Sequence, residues 1–232
     1  IDDNASLAVG TLDLANFALT LNDQMAGLSI AQPVTLDAAG EQIVTGAADL
    51  SLNGGISATA GTLSSSGGTV SASSLSAGAA GIINFQGGTL GLPGGATLAS
   101  GASFSTSNTT LNLGGSLAVA DTWTSTSTSV SLTTDNASLS STEEMSLASL
   151  QTNGYDFELA SATSDLTIEN AFALSGGETL STQGADLVFE SSADISPAST
   201  LDASGGGKLE FQQGGTVNGT INARNATFKI VS

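Results

Sequence analysis

The sequence predicts an all-β fold: a right-handed parallel β-helix, or β-solenoid, with about 20 residues per coil. Three observations carry this prediction. Short segments place large apolar residues at every second position, which gives each segment one apolar face. Gly-Gly pairs, or runs of Ser, Thr, Asn and Gly, separate these segments. The glycine pairs also recur at coil spacing: GGTV at 67–70 returns as GGTL at 87–90, and Gly94 returns as Gly114, each 20 residues on. A chain patterned this way buries its apolar faces by winding short strands into layers that cover one another.

Taken in order, the first strands are TLDL at 11–14 and FALTL at 17–21. The stretch 24–48 (QMAGLSIAQPVTLDAAGEQIVTGAA) fits least well. Its Pro33, alanines and imperfect alternation admit an irregular coil, a loop excursion or a short helix. DLSL at 49–52 restores the pattern, and TTLNL at 109–113 and SVSL at 129–132 repeat it. Ser141 followed by Glu144 resembles a helix capping box, but 145–150 (MSLASL) reads as a strand behind an acidic corner at Glu143 and Glu144. DFEL at 156–159, DLVFE at 186–190, KLEF at 208–211 and ATFKIV at 226–231 complete the series. Glycine suits the corners, where the backbone turns through positive φ or approaches the adjacent layer without a Cβ. Pro33, Pro93 and Pro197 all stand in turn contexts, where a missing N–H breaks no ladder. Eleven or twelve coils at about 4.8 Å each make a rod of roughly 55 Å.

Rival folds fit less well. Hairpin-built barrels and sandwiches favour tight Asn-Gly or Asp-Gly turns, and only Asn53-Gly54, Asn153-Gly154 and Asn218-Gly219 are such pairs here. A membrane barrel needs aromatic girdles, which 8 Phe, 1 Tyr and 1 Trp do not supply. Disorder combines low hydrophobicity with high charge density, whereas this chain is 40% hydrophobic and only 10% charged.

Twenty-one acidic residues face three basic ones, Lys208, Arg224 and Lys229, for a net charge of −18. Nucleic acid and anionic membrane surfaces are therefore not expected as partners, because each requires a cationic patch. The scattered acids read as a solvated exterior that keeps shafts soluble. No Cys occurs, so there is no disulfide framework or thiolate chemistry. The chain opens at Ile1 with no leader pattern and has no apolar run long enough to span a membrane, so it is not transmembrane. Residues 1–232 read as one β-solenoid domain, a segment of a longer or self-assembling fibre.

The Gly-Gly corners, the leucine alternation of DLSLNGG and TTLNLGGSLAV, and the Ser/Thr/Asn exteriors resemble the repeat regions of filamentous-haemagglutinin-like adhesins and autotransporter passenger domains. The resemblance covers most of the chain and is one of texture; an Asn-Pro-Asn-type secretion signature and a translocator barrel are not recognisable. It implies a bacterial cell-surface or secreted β-helix serving attachment, biofilm cohesion or display of other modules.

Catalysis has little support. Without His, a Ser-His-Asp triad and histidine-ligated metals are excluded. The carboxylate doublets Asp2/Asp3 and Glu143/Glu144 point to opposite strand faces, which does not suit a glycosidase pair. No cofactor is expected. Calcium at the corners carrying Asp2, Asp3 and Asn4, Asp121, or Asp135 with Asn136 is the minor alternative to solvated turn acids. The run TWTSTSTSVS at 122–131 offers a row of hydroxyls of the kind some ice-binding faces carry. Such a face must repeat in register on several coils, and one strand is too little. Trp123 reads either as a sugar-stacking platform or as a packed core residue. Sequons at Asn4, Asn108, Asn136, Asn218 and Asn225 permit glycosylation where the source has the machinery.

A solenoid leaves unpaired strand edges at its termini unless it is capped, and no amphipathic capping helix reads at 1–21 or 216–232. Leu12, Leu14 and Phe17 at one end, and Phe228 and Ile230 at the other, are the candidate self-assembly residues. The expected function is a non-enzymatic extracellular fibre or adhesin shaft that associates end to end or with flanking solenoid, with a glycan or surface receptor as a further partner. A carbohydrate-binding or carbohydrate-processing β-helix is the alternative. It would need aromatic and acidic residues clustered in a groove across adjacent coils.

Overall fold

The computed structural model describes residues 6–22 and 26–231. Within them the chain winds about 11 turns of a parallel β-solenoid, with no helix. Strands of three to five residues alternate with corners, and every strand pairing is parallel. Each turn contributes to three faces in the same order.

The first face is an eight-stranded sheet from Ser6–Val9 to Ser149–Gln151, continued by Phe172–Leu174 and Ala193–Ile195. The second is one uninterrupted ten-stranded sheet from Val34–Leu36 to Thr220–Asn222. The third runs as six strands from Ala18–Leu21 to Trp123–Thr126, then five from Met145–Leu147 to Thr227–Ile230. Successive coils sit about 21 residues apart. The step shortens to 19 where Thr110 pairs with Ser129 and lengthens to 24 where Ala18 pairs with Gln42. Corners absorb these differences, so the inward phase of each strand is kept.

Alternation generates the core directly. Leu28, Leu50, Val70, Leu90, Leu111, Val130 and Leu150 form one continuous inward row through seven coils of the first face, and all are buried. Their outward neighbours are Ser29, Ser51, Ser71, Gly91, Asn112, Ser131 and Gln151. Each fully buried Leu or Val contributes about 1.5–3 kcal/mol of transfer free energy, which offsets the ordering of a short strand only because a coil above and a coil below both cover it.

Corners are built from residues that tolerate positive φ. Gly68 and Gly88 stack one coil apart with φ of 62° and 71°. A Cβ on Gly88 would stand 2.1 Å from the Gly68 carbonyl oxygen, so only glycine lets these layers approach. Asn108, Asn136, Asn153 and Asn225 adopt the same left-handed conformation, which Asn reaches more readily than most side chains. Asn153-Gly154 therefore turns the chain from one parallel face to the next and closes no hairpin.

Three local expectations change. The stretch 24–48 is a regular coil over its described part, with strands Gly27–Ile30, Val34–Leu36 and Gln42–Thr45. The corner before Gln42, at 37–41, is two residues longer than its counterpart at 59–61 in the next coil. The segment 145–150 divides into Met145–Leu147 and Ser149–Gln151 on two different faces, with a corner at Ala148. TLDL at 11–14 lies in the first coil without ladder pairing, although Leu12 and Leu14 still pack on the core.

Candidate functional site: the open ends of the shaft

The lateral surface is shallow and polar. Among its depressions is an open trough of about 420 Å³ on the third face, lined by Asn84, Gln86, Ser105, Ser107, Asn108 and Thr124. Trp123 does not reach it. That side chain is 4% exposed, stacks on Phe104 with ring centroids 5.2 Å apart, and donates from Nε1 to Thr106 Oγ1 at 2.9 Å. Thr106 Oγ1 lies 2.8 Å from Thr128 Oγ1, so the buried indole N–H ends in a satisfied network. Trp123 is thus a core residue and not a stacking platform. The hydroxyl row at 122–131 likewise divides. Thr124 and Thr126 are exposed, but they stand beside Ser105 and Ser107, and those beside Asn84 and Gln86. No Thr-x-Thr lattice repeats there.

The carboxylates do more than solvate the rod. Asp49, Asp156, Asp165, Asp186 and Asp194 each accept an N–H from the following coil, at Thr69, Thr179, Asp186, Lys208 and Thr216, over 2.6 to 2.8 Å. Each carboxylate sits near a strand start and satisfies an amide at the corner where the ladder is interrupted. Asp121 accepts from Gly101 at 3.1 Å and from Thr122 at 3.0 Å. Asp135 and Asn136 lie in an exposed turn, Glu143 and Glu144 are exposed, and Asp2, Asp3 and Asn4 fall outside the described residues. Among the described residues no three of Asp, Glu, His and Cys converge as metal ligands.

Three glutamates are buried, and the sequence reading passed over them. Glu41 accepts the N–H groups of Asn16, Asp37 and Ala38 at 3.2, 2.7 and 3.3 Å. It thereby ties the corner of the first coil to that of the second. The Asn16 amide, followed by that of Asp37, holds its carboxyl below the usual glutamate range. Glu178 links three coils: its Oε1 accepts from Thr152 Oγ1 at 2.9 Å and Gly154 N at 3.2 Å, and its Oε2 from Ser199 Oγ at 3.3 Å. Glu210 pairs with Lys229 at 2.9 Å and Lys208 at 3.4 Å. The hydrogen bond from Lys229 is the main cause that holds its carboxyl below the usual range.

The ends differ from the sides. At the first coil Leu7 and Val9 continue the inward rows of Leu28 and Ile30, yet Leu7 is 40% exposed. Leu12 is half-buried and Leu14 buried within the core cluster, while Phe17 is 73% exposed. At the last coil Phe228 and Ile230 continue the rows of Leu209 and Phe211 and are 46% and 63% exposed. An aromatic ladder of Phe172, Phe189, Phe211 and Phe228, with centroids 5.1 to 5.8 Å apart, reaches the surface there. Val217, bridged to Ile195, is uncovered on the first face. The candidate assembly residues thus fall into two groups at opposite ends of the shaft.

Comparison with protein-family models, with curated proteins and with solved structures returned no match. No helix among the described residues is long and apolar enough to cross a membrane.

Proposed function

We propose that this chain is a non-enzymatic extracellular shaft, of the kind found in filamentous-haemagglutinin-like adhesins and autotransporter passengers, which extends and assembles end to end at a cell surface or in a matrix. The carrying observation is the contrast between sides and ends. The flanks are polar, and two residues that continue inward rows, Phe228 and Ile230, are 46% and 63% exposed at one end, while Leu7 is 40% exposed at the other. The Cys-free, Ser/Thr/Gly-rich and acidic composition supports an extracellular setting. The texture of its Gly-Gly corners supports the adhesin resemblance. In this reading the corner acids are brackets between coils and calcium is not required.

Negative-stain electron microscopy over a concentration series, with and without calcium, tests the proposal. Uniform filaments that lengthen with concentration and ignore calcium are expected. Single rods of roughly 50 Å at every concentration, as about 4.8 Å per coil demands, would refute end-to-end assembly.

A further inference from the structure

The two ends carry opposite charge. Residues 1–49 hold seven carboxylates and no Lys or Arg. Residues 203–232 hold all three cations of the chain against the single carboxylate of Glu210. Lys229 and Lys208 neutralise Glu210, while Arg224, exposed between the last two strands, makes no ion pair among the described residues. The last coil is therefore a basic cap on an acidic rod.

Resting on the shaft reading, we propose that the contact between copies is polar: the last coil of one copy docks on the first coil of a second. Thr227–Ile230, the last strand of the third face, then meets the first coil of the second copy. Phe228 and Ile230 lie toward Phe17, which is 73% exposed, and half-buried Leu19, while Leu21 is already buried. On the first face Val217 approaches Leu7 and Val9. Arg224 faces an end whose described exposed acids include Asp13 and Asp37. Contacts between like ends fail on two counts. They bring an end carrying exposed Asp13 and Asp37 against its own copy, or basic cap against basic cap, and they force strands that are parallel throughout the shaft to meet antiparallel. A heterologous contact that only advances along the axis does not close, so it produces an open filament.

The chain has no cysteine, so Ser232→Cys provides a unique site for a gold label on the full 232-residue chain. Head-to-tail docking places labels about 53 Å apart along a filament, from 11 coils at about 4.8 Å each. Labels that alternate between close pairs and gaps of about 106 Å would overturn the polarity while leaving end-to-end assembly intact. Single rods at every concentration would overturn both. Arg224→Glu should raise the threshold concentration for filaments about fivefold or more at low salt, with the single rod's unfolding midpoint unchanged. Arg224→Gln should weaken the salt dependence of that threshold, because screening acts on the charge and not on the apolar rows. An unchanged threshold in Arg224→Glu refutes the electrostatic part of the contact.

Discussion

Glu178 offers the most exacting test of how the coils are held together. It is 2% exposed and takes hydrogen bonds from three groups on two neighbouring coils: the Thr152 hydroxyl, the Gly154 amide and the Ser199 hydroxyl. Glu178→Ala removes the acceptor and leaves two buried hydroxyls and an amide to find others. A stranded buried polar group costs about 1–3 kcal/mol. Thr152 and Ser199 can rotate in part toward backbone oxygens, so the net loss should be about 3–5 kcal/mol. Glu178→Gln keeps one acceptor oxygen for Thr152 and Gly154 and turns an amide donor toward Ser199, whose hydroxyl can accept. Its cost should be about 1–2 kcal/mol. Glu190→Ala, at an exposed site, should stay within about 0.5 kcal/mol. Urea unfolding followed by circular dichroism gives the three midpoints, and amide exchange at Gly154 and Thr179 reads the local opening. If Glu178→Ala unfolds at the same midpoint as Glu190→Ala, the buried carboxylate is not a bracket between coils and the reasoning fails.

Other perturbations separate inward rows, corners and end brackets. Leu111→Ala should cost about 2–5 kcal/mol, because Leu111 is fully buried between Leu90 and Val130. Asn112→Ala, one residue on and facing outward, should change the urea midpoint hardly at all. Equal effects would reverse the assignment of faces. Gly88→Ala should destabilise by at least about 2 kcal/mol, since its Cβ meets the Gly68 carbonyl at 2.1 Å. Gly10→Ala, with nothing within 4 Å, should be neutral or slightly stabilising in the same urea unfolding. Glu41 and Glu210 have folded-state pKa values below the ordinary 4.5. Their contribution is present above that value and is lost as pH falls through the lowered folded value. Acidification should therefore loosen the first and last coils before the centre. Amide exchange on a pH series from 6 to 3 checks this, and uniform loosening along the shaft would count against it.

Alternation made the interior strands legible because a two-residue period has one consequence once both neighbours of a strand are other strands. DLSL, TTLNL, SVSL and KLEF all fall on observed strands. The pattern lost resolution where phase changes. In 145–150, Met145 and Leu147 share one parity and Leu150 takes the other, and that slip marks the Ala148 corner between two faces. TLDL forms no ladder, although Ser6–Val9 and Ala18–Leu21 of the same coil do, and its leucines still find the core. Trp123 was decidable in principle, since it stands one coil, 19 residues, after the inward Phe104. The buried glutamates were not. A corner Glu looks the same in sequence whether it meets water or three N–H and O–H donors from adjacent coils, and only coil-to-coil register separates the two cases.

Charge placement along the axis bears on why association should run through the ends. Residues 50–120 contain no Asp, Glu, Lys or Arg, so more than three consecutive coils present only hydroxyls, amides and small apolar groups. That belt lacks repulsion but also lacks an apolar patch: Ile82, at 41% exposure, is its one large hydrophobic residue so exposed among those described. The coils on both sides of the belt carry the carboxylates. Two rods lying side by side would bring those into register within roughly the 8 Å over which charges still act in physiological salt. Lateral contact therefore sets carboxylate repulsion against little apolar burial. Axial contact sets one Arg and the exposed Phe228 and Ile230 against an acidic end where Leu7 is exposed and Val9, Leu12 and Leu19 are half-buried. The same sequence that makes the sides soluble leaves the ends as the surface where burial and charge favour association together.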